Sequence, residues 1–88
     1  MLADETPPDH TVKVLWFARL QEHVGHAEEN VQTSAQNVEG LWETLATQYA
    51  LTYPKSALQV AVDERFATWD TPLDGVKTVA FLPPLAGG

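Results

Sequence analysis

Hydrophobic and polar positions fall into short alternating runs toward both ends of the chain and one helical stripe between them. Val12-Lys13-Val14-Leu15-Trp16-Phe17 is β-branched and aromatic, and its period of two puts Val12, Val14 and Trp16 on one face and Lys13, Leu15 and Phe17 on the other. Both faces are largely apolar, so one meets the core and the other is left adhesive. Arg19 to Val24 predicts a short helix closed by Gly25, whose ease in the left-handed region suits a C-cap. Asn30 to Thr33 reads as a weaker second strand, antiparallel to the first. From Val38 to Tyr49 the period changes: Val38, Leu41, Trp42, Leu45 and Tyr49 make one helical stripe, with Asn37 as N-cap and Glu39 in the first turn. Gly40 weakens that helix by up to ~1 kcal/mol relative to Ala, and Pro54 bars its continuation. Leu58 to Val62 is a third strand, with Val60 and Val62 facing inward. Asp63-Glu64 makes a tight turn into Phe66-Ala67-Thr68-Trp69, Asp70 to Gly75 is turn chemistry throughout, and Thr78 to Leu82 is the last strand.

The resulting order, ββαβββ, is an α+β pattern. A mixed sheet wrapped across one amphipathic helix accommodates it, which is the β-grasp arrangement of ubiquitin. Pairing the first and last strands at the centre of that sheet would launch the carboxyl terminus from its middle. The expected organisation is a flexible acidic leader (1–10), the β-grasp domain (11–82) and an extended, protruding C-terminal Gly-Gly tail (83–88).

Composition narrows the setting. Eighty-eight residues suffice for one domain with a modest core. Twelve acidic against five basic residues give a net charge of -7, which disfavours nucleic acid and favours a basic protein partner. The absence of cysteine removes disulfides and thiolate metal sites and points to reducing cytoplasm. No apolar run approaches the ~20 residues of a membrane span, and the acidic, proline-containing start does not read as a signal peptide.

The last eleven residues, Thr78 to Gly88, carry no charged side chain: an apolar strand, then Pro83-Pro84-Leu85-Ala86-Gly87-Gly88. At a Gly usage of roughly 7%, a Gly-Gly end arises by chance in about 0.5% of chains; a trimmed linker is the bland explanation. The physical use is a slim tip with wide backbone freedom behind two prolines that favour an extended path. Such an end can thread a narrow channel in another protein and present its α-carboxylate there.

From Thr11 to Gly88 the chain resembles the small-subunit family of molybdopterin synthase, ubiquitin-like sulfur carriers. The matching residues are Val14-Leu15-Trp16-Phe17-Ala18 with Glu22 and Val24-Gly25, Val38-Glu39-Gly40-Leu41, Ala61-Val62, and Val79 to Gly88 with its Pro-Pro-x-x-Gly-Gly close. It departs from the family at Gln21, where arginine is usual, at Asp63, where asparagine is common, and in the turn Asp74-Gly75-Val76-Lys77. The resemblance implies that an adenylating enzyme related to ubiquitin-activating enzymes uses ATP to convert the Gly88 carboxylate to an acyl-adenylate. A sulfur donor protein then supplies the sulfur of a thiocarboxylate. The tail (Pro83, Pro84, Leu85, Ala86, Gly87) inserts into the synthase large subunit, where the sulfur passes to cyclic pyranopterin monophosphate to build the molybdopterin dithiolene. It further implies a hydrophobic docking surface at Phe17, Phe66 and Leu82, a heterotetramer with a dimeric large subunit, and no cofactor bound by the chain itself. On this reading the small subunit is non-catalytic and works only with the large one.

Other readings stay beside it. A carrier for thiamine or cysteine sulfur, a modifier conjugated to lysines through Gly88, and an interaction module whose tail is never activated share the same tail. For Phe66, closure of the core edge competes evenly with docking. His23-x-x-His26 with Glu22 and Glu28 has too short a helix to converge on a metal, and the pairs Glu28-Glu29 and Asp63-Glu64 read as solvated charge. Trp16 and Trp42 lie on core stripes; the pattern does not place Trp69.

Overall fold

The computed structural model describes residues 10–84. The leader residues 1–9 and the tail residues Leu85, Ala86, Gly87 and Gly88 lie outside the described residues. Strand β1 (His10–Trp16) is followed by helix α1 (Ala18–Val24), strand β2 (Glu28–Thr33), helix α2 (Val38–Tyr49), a single 3₁₀ turn (Lys55–Ala57), β3 (Gln59–Val62), β4 (Arg65–Ala67) and β5 (Thr78–Leu82). The five strands form one sheet in the order β2-β1-β5-β3-β4. β1 and β5 pair in parallel at its centre and every other pair is antiparallel, so the sheet is mixed as expected.

One face of this sheet is covered. Val12, Val14 and Trp16 of β1, Val60 of β3, and Val79 and Phe81 of β5 are buried against Val38, Leu41, Trp42 and Leu45 of α2. Phe81 is the hub of an aromatic cluster, 5.0 Å from Trp42, 5.7 Å from Trp16 and 6.1 Å from Trp69 between ring centroids. Trp69, unplaced by sequence pattern, folds back from beyond β4 to stack on Phe81.

α2 begins and ends where the residue types demand. The Asn37 side chain accepts from the Gly40 N–H at 2.9 Å, and the Val38 and Glu39 N–H groups donate to the carbonyls of Thr71 and Trp69. Thus the turn-rich segment before β5 is tied to the helix start. Gly40 is there for space: a Cβ at that position would lie 3.2 Å from the Ala35 Cβ. At the other end Ala50 adopts the left-handed region (φ 56°), and Leu51 N–H returns to the Ala46 carbonyl at 2.8 Å, a Schellman closure built without glycine.

The strand limits differ from expectation: β2 begins at Glu28 rather than Asn30, β3 at Gln59 rather than Leu58, and β1 and β4 are shifted as follows. β1 takes in His10, a residue expected in the leader, and ends at Trp16. Phe17 is not a strand residue but the N-cap of α1 (φ -130°, ψ 152°), because Ala18 turns the chain through φ 53° immediately after it. β4 stops at Ala67, since Thr68 to Thr71 close a turn of their own.

Candidate functional site

The uncovered face of the sheet carries a row of residues in register across four strands. Leu15 pairs with Ala80, Ala80 with Ala61, and Ala61 with Phe66. Small side chains in the middle and large ones at both ends make a trough. Thr78, Ala61 and Ala80 contribute to its floor, with Phe17, Leu82, Phe66 and Glu64 around it, enclosing about 230 Å³ of almost wholly apolar space. Phe66 is 76% exposed and Phe17 44% exposed, large apolar side chains that the core leaves out. Phe66 therefore does not close the core edge. Phe17, although displaced from the strand it was expected to continue, still lines the trough with Phe66 and Leu82. All three interface candidates meet on one surface, and apolar surface held outside the core is characteristic of interfaces.

The trough rim is acidic at Glu64 and, one strand beyond Leu15, at Glu28, which lies 3.7 Å from Lys13. Glu64 belongs to the two-residue connection between β3 and β4. Asp63 and Glu64 both have positive φ (50° and 72°), the conformation of the hairpin turn whose twist matches the strands. Asp63 is not merely solvated: its carboxylate accepts from the Lys77 and Thr78 N–H groups, both at 2.9 Å, and its own N–H donates to the Thr78 carbonyl. The Thr78 and Lys77 backbone donors hold its carboxyl below the usual range. The turn is thereby stitched to the start of β5.

β5 emerges from the centre of the sheet at Leu82. Pro83 is half-buried and Pro84 exposed, and both sit over a hollow bordered by Ser56, Ala57, Leu58 and Gln59. Pro83 and Pro84 thus lie beside the trough, with Leu82 lining both hollows.

On the opposite side lies a polar cluster that local sequence reading missed. Glu29 accepts from the Trp16 indole N–H at 2.8 Å, from the Tyr49 hydroxyl at 2.9 and 3.0 Å, and from His26 Nε2 at 3.1 Å. Burial pushes its carboxyl up, but the bonds from Trp16, His26 and Tyr49, with the charge of His26, outweigh this and hold it below the ordinary value. Burial and the Glu29 carboxylate push the Tyr49 phenol up. His23 Nε2 donates to the Tyr49 carbonyl at 3.0 Å, so the two histidines serve α2 and Glu29 separately. Among the described residues no three His, Cys, Asp or Glu side chains are grouped to hold a metal ion. No helix among them is long and apolar enough to cross a membrane.

A mixed five-stranded sheet with a parallel central pair and one covering helix defines a ubiquitin-like β-grasp domain. A solved structure of the same class is SAMP1 from Haloferax volcanii, with a TM-score of 0.74 at 17% identity, covering 90% of this chain and 100% of that one. Another is the complex of subunits 1 and 2 of molybdopterin-converting factor from Helicobacter pylori, TM-score 0.61 at 22% identity, covering 90% of this chain and 100% of the matched one. These likenesses concern the fold. Residues 14–88 match the ThiS family, and the chain belongs to it. The molybdopterin synthase sulfur carrier subunit of Escherichia coli K12 is 36% identical over 80 residues, which span 88% of this chain and 99% of that protein.

Proposed function

We propose that this protein is the sulfur carrier subunit of a molybdopterin synthase, working in the cytoplasm, and that Gly88 carries the sulfur. The observation that supports it most directly is the 36% identity to the Escherichia coli sulfur carrier subunit over 88% of this chain, together with a ThiS family match that runs through residue 88. The geometry agrees with such a role. An apolar trough beside Leu82 and Pro83, where the tail begins, gives a partner something to grip.

The chemistry follows from the terminus itself. A terminal carboxylate with a pKa of about 3.3–3.7 is ionised at neutral pH and a poor electrophile. Activation must come from outside: the Gly88 carboxylate oxygen attacks the α-phosphorus of ATP on an adenylating enzyme, releasing pyrophosphate. The outer sulfur of a donor protein's persulfide then displaces AMP to give an acyl disulfide, and a second thiol cleaves its S–S bond, leaving the thiocarboxylate on Gly88 and a disulfide on the donor. Inserted in the large subunit, the soft sulfur attacks a side-chain carbon of cyclic pyranopterin monophosphate as a carbon–oxygen bond there breaks, giving a thioester between carrier and substrate. Water cleaves the acyl–sulfur bond, leaving sulfur on the substrate and restoring the carboxylate, and a second loaded chain supplies the other dithiolene sulfur. The chain has no thiol to compete for its own activated carbonyl. Gly87 keeps the approach to that carbonyl narrow, while Pro83, Pro84, Leu85 and Ala86 form the inserted segment. The large-subunit partner is supported by the Helicobacter pylori complex of subunits 1 and 2, whose first subunit shares this fold.

The test is the intact mass of the chain after incubation with its adenylating enzyme, ATP and a sulfur donor. A gain of one oxygen-for-sulfur exchange, lost again on adding the large subunit and its pterin substrate, is the expected result. An unchanged mass in every condition refutes carriage, and isopeptide adducts on other proteins identify a modifier instead.

A further inference from the structure

We infer that Glu29 is a positioning residue for docking: through Trp16 it sets where Phe17 stands on the rim of the trough. The inference rests on the docking role proposed for Phe17 above.

Glu29 is unlike its neighbour. Glu28 points to the outer face, is 58% exposed and pairs with Lys13, whereas the Glu29 side chain is 20% exposed and takes hydrogen bonds from three aromatic side chains, Trp16 on β1, Tyr49 on α2 and His26 in the α1–β2 connection. A partly buried carboxylate is an unusual choice for a strand facing a helix end, where an apolar residue would fill the space without needing partners. Here the carboxylate has a task that an apolar residue could not perform. Trp16 is fully buried and its indole N–H points at Glu29, while its ring meets Tyr49 edge-on at 5.9 Å and Phe81 at 5.7 Å. The Trp16 backbone N–H is fixed to the Ala27 carbonyl at 2.8 Å. The last residue of β1 is thus held by its main chain, its ring faces and its indole N–H.

The next residue is Phe17, where the chain leaves the strand. On its far side Ala18 sits in the left-handed region, and the Phe17 carbonyl accepts from Leu20 and Gln21 to start α1. Phe17 is therefore a pivot between an anchored tryptophan and a strained alanine. Its own half-exposed ring has little core contact to hold it in place. Removing the Glu29 acceptor leaves the indole N–H buried without a partner, and the ring must shift to find one. That shift moves the adjoining Phe17.

The experiment is a double-mutant cycle on the full chain, reading Kd for the synthase large subunit by calorimetry with Glu29→Ala, Phe17→Ala and both. Loss of one positioning hydrogen bond predicts a roughly three- to ten-fold weaker Kd for Glu29→Ala in the native background, shrinking to less than about two-fold in the Phe17→Ala background. Glu29→Gln keeps an acceptor oxygen and restores most of the affinity. Should Glu29→Ala fail to fold, Trp16→Phe takes its place in the cycle, removing the donor while keeping a smaller aromatic ring in the core. Equal weakening in both backgrounds means Glu29 acts only through overall stability and overturns the inference. So does an unchanged Kd. If Phe17→Ala alone leaves Kd unchanged, the docking role of Phe17 fails first, and the inference with it.

Discussion

Phe66 offers the clearest separation of stability from binding. Its side chain is 76% exposed on the short edge strand β4, so Phe66→Ala removes few native contacts. Loss of strand propensity at an exposed site is worth less than about 1 kcal/mol. Docking is different, because burying a phenylalanine from full exposure contributes about 1.5–3 kcal/mol. Taking 76% of that gives about 1.1–2.3 kcal/mol, or roughly six- to fifty-fold in Kd for the large subunit. Phe81, on the buried face of β5, sets the contrast: it is fully buried, and Phe81→Ala should lose about 3–5 kcal/mol of a domain stability of about 5–15 kcal/mol. Urea unfolding followed by tryptophan fluorescence reads the first quantity and titration calorimetry the second. A Phe66→Ala chain destabilised by more than about 2 kcal/mol, or one that binds the large subunit unchanged, would refute the assignment of this face to docking.

Three further outcomes are expected. Ala50→Gly should stabilise the chain by up to about 1 kcal/mol, because a left-handed alanine costs about 1–2 kcal/mol and the added freedom of unfolded glycine returns part of the gain; a raised denaturation midpoint in urea checks it. Asp63 has a carboxyl held below its ordinary 3.8, so its contribution is fully present above that value and fades as pH falls through the lower folded-state value. Asp63→Asn, which retains an acceptor for the Lys77 and Thr78 N–H groups, should flatten the loss of stability below about pH 3.8 when unfolding midpoints are compared across pH. Deleting Gly88 should leave the circular dichroism spectrum and unfolding midpoint unchanged while abolishing the oxygen-for-sulfur mass gain.

What could be read from the sequence was whatever repeats locally. The alternation Val12, Val14, Trp16 and the stripe from Val38 to Tyr49 place the core correctly, and the helix limits agree with the structure. The central pairing of β1 with β5 was anticipated from the element order, while its parallel sense comes from the strand register. What escaped depends on residues far apart in the chain. Glu29 looked like half of a solvated pair because its partners, Trp16 and Tyr49, are 13 and 20 residues away. Phe17 looked like strand because its character is β-favouring, while the turn that ends the strand is carried by an alanine with no conformational signature. The outer trough was half legible. Its large residues were named in advance, but the alanines that hollow it, Ala61 and Ala80, emerge only from strand register.

The central place of β5 has a mechanical meaning. Tension on a segment held in a partner's channel would run along this strand and strain its hydrogen bonds to β1 and β3 together, in shear rather than one at a time. A strand at the sheet's margin would instead peel away bond by bond. A pull on the end of β5 is therefore shared between two neighbouring strands rather than carried by one.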